Sequence, residues 1–223
     1  MEFVKTSIDL FGLQIMEPVT VATDLLVSAV CIYAFIKIRT TNSRLPSLQL
    51  LRYYFLLLAI STAYGGIIGH GIQHLLSFGW KVPGWFISMI SIALIERASI
   101  LHAQPILRPG LGRFFAILNI IELITLISIV AVTLNFFFVE AHAAYGLLLI
   151  VSSFELFIYL KTKNEGSKIL LIAVAITALA ATVHLTKFTI HIWFNHLDLS
   201  HVLMAVAAYV FYLGAIKIKG TYV

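Results

Sequence analysis

Eight histidines are spread along a chain of 223 residues that holds only ten acidic ones. Several stand at spacings that share a helix face. His70 and His74 are four apart, Asp198 and His201 three apart, Glu17 and Asp24 seven apart, and His184, Lys187 and His191 follow at i, i+3 and i+7. Positions three, four or seven apart on an α-helix point the same way. Imidazoles and carboxylates arranged so can bind a divalent metal, above all zinc, whose catalytic sites keep three protein ligands and an open position for an activated water. They can also pass protons near neutral pH. The candidate metal ligands are His70, His74, His184 and His201, with Asp24 and Asp198 as base or orienting groups and Lys187 as a carbonyl polariser or partner of an acid.

The elements that must position these residues follow from composition. Hydrophobic residues make up 61% of the chain and charged ones 11%, against roughly 25% charged in soluble domains, and the mean hydropathy is +1.00. A helix crossing the hydrocarbon needs about 20 mainly apolar residues. Seven such stretches are legible, at 18–38, 51–77, 83–104, 113–135, 140–160, 168–192 and 198–216. Their connections are short, and Pro46, Pro83, Pro105 and Pro109 fall at or near helix ends, where a missing donor does least harm. The expectation is an all-α, polytopic membrane protein, one seven-helix bundle over 1–223 with a short interfacial segment at 1–17. A lone cysteine, Cys31, excludes an intramolecular disulfide and a thiolate metal site.

Lysine and arginine set the expected orientation, because short cytoplasmic loops collect them. Lys37, Arg39, Arg44, Arg52, Arg108, Arg113, Lys161, Lys163, Lys168, Lys217 and Lys219 fall on one side, and only Lys5 and Lys81 flank the other. An outside amino terminus and a cytoplasmic carboxyl terminus follow, in a bacterial inner membrane for so short and compact a chain. The net charge of +5 is then a topological signal with some attraction to membrane lipid, and with no basic soluble domain a nucleic-acid partner is excluded. On this layout seven of the eight histidines lie in or next to the outer half. Asp24, His70 and His184 are about 9–12 Å deep at ~1.5 Å per residue, and Glu140, His142, His191 and His196 form a rim.

Two further groups carry expectations. On the second helix Gly65 and Gly69 form a small-xxx-small pair that lets another backbone approach. In the inner half, Arg97 is expected to pair with Glu122 or Glu155, since intramembrane charges need partners.

The seven-span plan with histidines on the second and seventh helices resembles the CREST superfamily, which includes alkaline ceramidases and adiponectin-receptor-like proteins. That family carries Ser and His four apart on helix 2, Asp near the start of helix 3 and two His four apart on helix 7. His70 or His74 and His201 are similar to its histidines, while Gly66 stands four before His70 and Asp198-Leu199-Ser200-His201 stands on helix 7. The resemblance implies a zinc-dependent hydrolase acting on a lipid-like amide or ester. The residues also leave open a proton-coupled transporter or sensor built on Asp24, Lys187 and the histidines, and a haem protein ligated by two facing histidines.

Overall fold

A computed structural model describes residues 5–41 and 44–218; Lys219 of the basic set lies outside the described residues. Among the described residues seven helices are long and apolar enough to cross a membrane: α1 Pro18–Thr40, α2 Pro46–Gly71, α3 Phe78–Ile106, α4 Leu111–Thr133, α5 Phe137–Thr162, α6 Glu165–Thr186 and α7 His196–Lys217. This is a multi-pass integral membrane protein in architecture. Pro18 and Pro46 open α1 and α2 at first-turn positions that need no donor. Asn164 and Asn195 cap α6 and α7 with their side chains. Leu134, Lys163 and Lys187 close α4, α5 and α6 in the left-handed conformation.

The helices form a ring. α1 packs on α2 and α7, α2 on α3, α3 on α4 and α5, α5 on α6, and α6 on α7. The main core runs between them through Val27, Cys31, Phe55, Ile95, Val151 and Phe211. α4 stands at the periphery, with Gly112, Asn119 and Val130 its buried residues, so its apolar sides face what a bilayer would supply. α6 and α7 come close enough at Gly166 that a side chain there would lie 2.9 Å from the Gly214 carbonyl.

Before α1 the chain forms a β-hairpin, β1 Ser7–Leu10 and β2 Leu13–Met16, with Ser7 opposite Met16. Its two-residue turn is Phe11 and Gly12, both at positive φ, the geometry that matches the twist of a tight hairpin.

Two departures from the sequence reading matter for the site. α6 ends at Thr186 and α7 begins at His196, so Lys187 and His191 stand outside the helix that hydropathy extends to 192. The intervening run Phe188-Thr189-Ile190-His191-Ile192-Trp193 is apolar but β-branched and aromatic, which favours extended backbone, and it closes in a tight turn with mutual backbone bonds between His191 and Phe194. On α2 the close-contact glycines are Gly66 and Gly71, not Gly65 and Gly69. A side chain at Gly66 would meet the Asp24 Cβ at 2.8 Å, and one at Gly71 the Val21 Cγ2 at 3.3 Å, whereas nothing lies within 4 Å of Gly65 or Gly69. The reason is that Gly65–Gly71 is π-helical. Backbone bonds there run i→i+5, so the helix winds more slowly and the α-helical four-residue spacing no longer marks its inward face.

Candidate functional site

The half of the bundle that carries the amino terminus holds a cluster contributed by α1, α2 and α7. Glu17, the residue before α1, sits in the left-handed region at φ 46°, ψ 51°, a conformation worth about 1–3 kcal/mol of strain in a non-glycine residue. Its amide donates to the Thr6 carbonyl at 2.8 Å. Its buried carboxylate accepts from Lys5 Nζ at 3.0 Å and lies 3.2 Å from His70 Nδ1. The π-helical turn aims His70 inward, and its ring stands edge-on to that of His201, centroids 6.3 Å apart. His201 in turn places Nε2 3.6 Å from Asp24 Oδ1 and Nδ1 3.3 Å from Thr23 Oγ1. Asp24 is buried against Gly66, whose missing side chain makes room for it. The result is two histidine–carboxylate pairs, Glu17–His70 and Asp24–His201, joined through the two rings.

Asp198 fixes the register of this cluster. One oxygen accepts from Thr20 Oγ1 at 2.7 Å and the other from the Asn195 amide at 2.7 Å, completing a capping box. Thr20 lies one turn before Asp24, and Asp198 one turn before His201. Clamping the first pair therefore aligns the second. Both Asp198 oxygens are engaged and its side chain is fully buried, so its place in this structure is that of a positioning residue.

The other candidates lie elsewhere. His74 is exposed on the short turn Gln73–Leu75 beyond α2. His184 lies 3.0 Å from Glu140 Oε1 and its ring is 5.8 Å from that of His196. Lys187 is exposed, its positive φ ends α6, and it forms no ion pair with Asp24; the helical face that would have carried it inward stops one residue earlier. His70, His74, His184 and His201 are thus not gathered into one ligand set.

Two pairings that sequence reasoning missed stand deeper. His142, expected at the rim, is fully buried because α5 begins at Phe137; its Nδ1 lies 2.6 Å from Glu122 Oε1 and its Nε2 3.0 Å from the Met89 carbonyl. His102 lies 3.2 Å from Glu155, which also accepts from Ser167 Oγ at 2.6 Å. Arg97 reaches neither Glu122 nor Glu155: its guanidinium donates to Asn119 Oδ1 at 3.1 Å and to the Ala116 carbonyl on α4. The missed signal was a repeated one, since five histidines each face a carboxylate from another segment of the chain.

Glu17 carries a pH signature. Burial raises its pKa, but the hydrogen bonds and positive charge of His70 and Lys5 outweigh burial, and the net displacement is downward from 4.5. A carboxyl lowered on folding stabilises the folded state above its unfolded value and loses that contribution as pH falls through the folded value. Wild-type stability is therefore expected to decline below about pH 4.5 more steeply than that of Glu17→Gln. Thermal unfolding in detergent over an acid series checks this, and parallel curves for the two proteins would show that the pairing contributes nothing.

Taken together, the fold and these clusters define a seven-helix membrane bundle with histidine–carboxylate pairs buried between its helices. Residues 19–219 match the Family of unknown function (DUF6962), and the chain belongs to that family. No curated protein and no solved structure matches it.

Proposed function

We propose that this is a proton-linked membrane protein, a transporter or sensor, whose titratable element is the Glu17–His70 and His201–Asp24 cluster. The observation that carries the reading is the edge-on approach of the His70 and His201 rings, which joins two histidine–carboxylate pairs, their carboxylates buried and their imidazoles half-buried, from three segments of the chain. Ionisable groups at membrane depth are costly and mark ion pathways and relays when they persist. A proton added to one ring is felt by the other, because both sit among low-dielectric helices. Movement of α7 against α1 and α2 would then follow protonation, since both pairs cross those contacts. The basic face of the bundle is placed toward the cytoplasm by the positive-inside rule, which puts the cluster in the outer half.

A zinc hydrolase acting on a lipid-like amide or ester, the reading implied by the CREST resemblance, would use the same histidines with Asp24. In its favour, Glu17 and Thr23 hold the Nδ1 atoms of His70 and His201, as outer partners hold metal-bound imidazoles. Against it, the group of three metal-capable side chains with ligand atoms within 4.8 Å of one another, among the described residues, lies elsewhere.

The test is proton flux. Purified protein in vesicles enclosing a pH-sensitive dye is subjected to an imposed pH gradient, with Asp24→Asn and His201→Gln alongside and helicity verified by circular dichroism. Wild-type protein is expected to move protons or show a pH-dependent tryptophan signal that both variants lose by at least about tenfold, the range associated with a positioned acid–base group. Equal responses from folded wild type and variants would remove the cluster from the mechanism. Hydrolysis of lipid amides or esters that depends on added zinc and on His201 would establish the enzyme instead.

A further inference from the structure

We propose that Glu96, Glu122 and His142 form a binding site for a divalent transition-metal ion, of the zinc or manganese class, between α3, α4 and α5. The inference is independent of the proton-linked reading and concerns a different part of the bundle. Each of the three residues offers one ligand atom, and these atoms lie within 4.8 Å of one another. A tetrahedral ion with bonds of about 2.1 Å spaces its ligand atoms about 3.4 Å apart, which side-chain adjustments of about 1 Å supply.

Three features point to a cation. The first is the orientation of His142. Its Nε2 donates to the Met89 carbonyl at 3.0 Å, and its Nδ1 stands 2.6 Å from Glu122 Oε1, where a cation would take the place of the proton the two share. An imidazole that ligates through one nitrogen characteristically donates from the other to a carbonyl or carboxylate, which holds the ring and selects the tautomer. The second is unmet bonding capacity. Oε1 of Glu96 and Oε2 of Glu122 are both buried without a hydrogen-bond partner, and the Glu96 residue is 1% exposed. Its other oxygen accepts from Asn119 Nδ2 at 2.8 Å, so the free oxygen is not an accident of a carboxylate left unanchored. A buried carboxylate and a half-buried one side by side repel in a medium where Coulomb interactions are little screened, and a divalent ion satisfies both free oxygens and cancels both charges.

The third feature is the space. α5 is π-helical over Tyr145–Val151, and π-bulges recur where a helix is adapted to a site. Within that segment a side chain at Gly146 would run into Glu96 Oε1 and the Ile92 side chain. The bulge and the glycine together make the room in which the Glu96 carboxylate sits. Two carboxylates and one imidazole suit zinc, manganese or iron rather than the all-oxygen cages of calcium, and three protein ligands leave positions open for water or another group.

The experiment uses full-length protein purified in detergent without a histidine tag, its metal content measured as isolated and after titration with zinc or manganese alone. About one equivalent per chain is expected, with affinity falling more than tenfold in Glu96→Gln and His142→Ala and unchanged in His201→Ala. Cobalt-loaded protein is expected to show d–d absorption bands that shift in Glu122→Gln. Because His142→Ala removes a buried ring, the conservative Glu96→Gln and Glu122→Gln decide the matter if it fails to fold. Failure of wild type to bind zinc or manganese, retention of full affinity by folded Glu96→Gln and Glu122→Gln, or loss of metal in His201→Ala would each overturn the proposal. The last result would place the ion in the α1–α2–α7 cluster.

Discussion

Asp198→Ala is expected to lower stability by about 2–4 kcal/mol, a large fraction of what holds a domain folded. The substitution removes the Asp198 half of the α7 capping box and leaves Thr20 Oγ1 and the Asn195 amide, both buried, without their 2.7 Å acceptor. Loss of a side-chain cap costs about 0.5–2 kcal/mol, and each orphaned buried donor about 1–3 kcal/mol. Interhelical bonds in membranes average nearer 0.6 kcal/mol when measured by double-mutant cycles, which is why the sum is placed below its ceiling. The functional consequence should exceed the thermodynamic one. With the Thr20–Asp198 clamp gone, α7 is free to shift against α1, and the 3.6 Å approach of His201 to Asp24 loses its alignment. Thermal unfolding with and without Asp198→Asn, which retains one acceptor and can donate to Thr20, separates the two effects. An alanine variant with wild-type stability would show that the clamp is dispensable.

At the opposite end of the bundle, Glu155→Ala is expected to cost about 3–5 kcal/mol, the penalty for leaving the partner of a buried polar pair behind. Glu155 is 1% exposed and joins three helices: His102 on α3 stands 3.2 Å from it and Ser167 on α6 donates to it at 2.6 Å, while Glu155 itself is on α5. Ser167 is also held through its amide by the Asn164 cap at 3.1 Å, so a loosened Glu155 is felt at the start of α6. Unfolding in detergent should show the loss directly. Glu155→Gln, which keeps an acceptor for Ser167, is expected to recover part of it, and an alanine variant as stable as wild type would mean that His102 and Ser167 find equivalent partners.

The histidine pairs explain how much of the site could be read from the chain. His70, His201 and Asp24 are recognisable as members of one cluster because counting from the expected helix ends places them about 5–10 Å inside the same side, and depth is a one-dimensional property that residue counting supplies. Their partners are not. Glu17 meets His70 because a left-handed residue turns the chain at the head of α1, and Glu122 meets His142 because α4 and α5 both pack on α3. Such meetings depend on the azimuth of each helix and on which helices are neighbours, and hydropathy is blind to both. Lys187 is instructive in the same way: its spacing from His184 fits a helical face, but that face does not exist beyond Thr186. An apolar window cannot distinguish a helix from an apolar extended turn.

What the amino-acid sequence by itself determined is the architecture: seven apolar stretches, their short connections, the segregation of basic residues to one end and the concentration of histidines toward the other. These are consequences of a solvent that admits only backbone with its own hydrogen bonds satisfied, so length and composition suffice. Tertiary structure alone decided that α1, α2 and α7 share one cluster while α3, α4 and α5 share another, that Gly66 rather than Gly65 faces Asp24, and that Asp198 clamps rather than faces the open interior. The physical reason is that side-chain chemistry at membrane depth is governed by contact distances of about 3 Å. A single π-helical turn, a helix ending a few residues early or one left-handed residue changes those distances without changing the composition that the sequence displays.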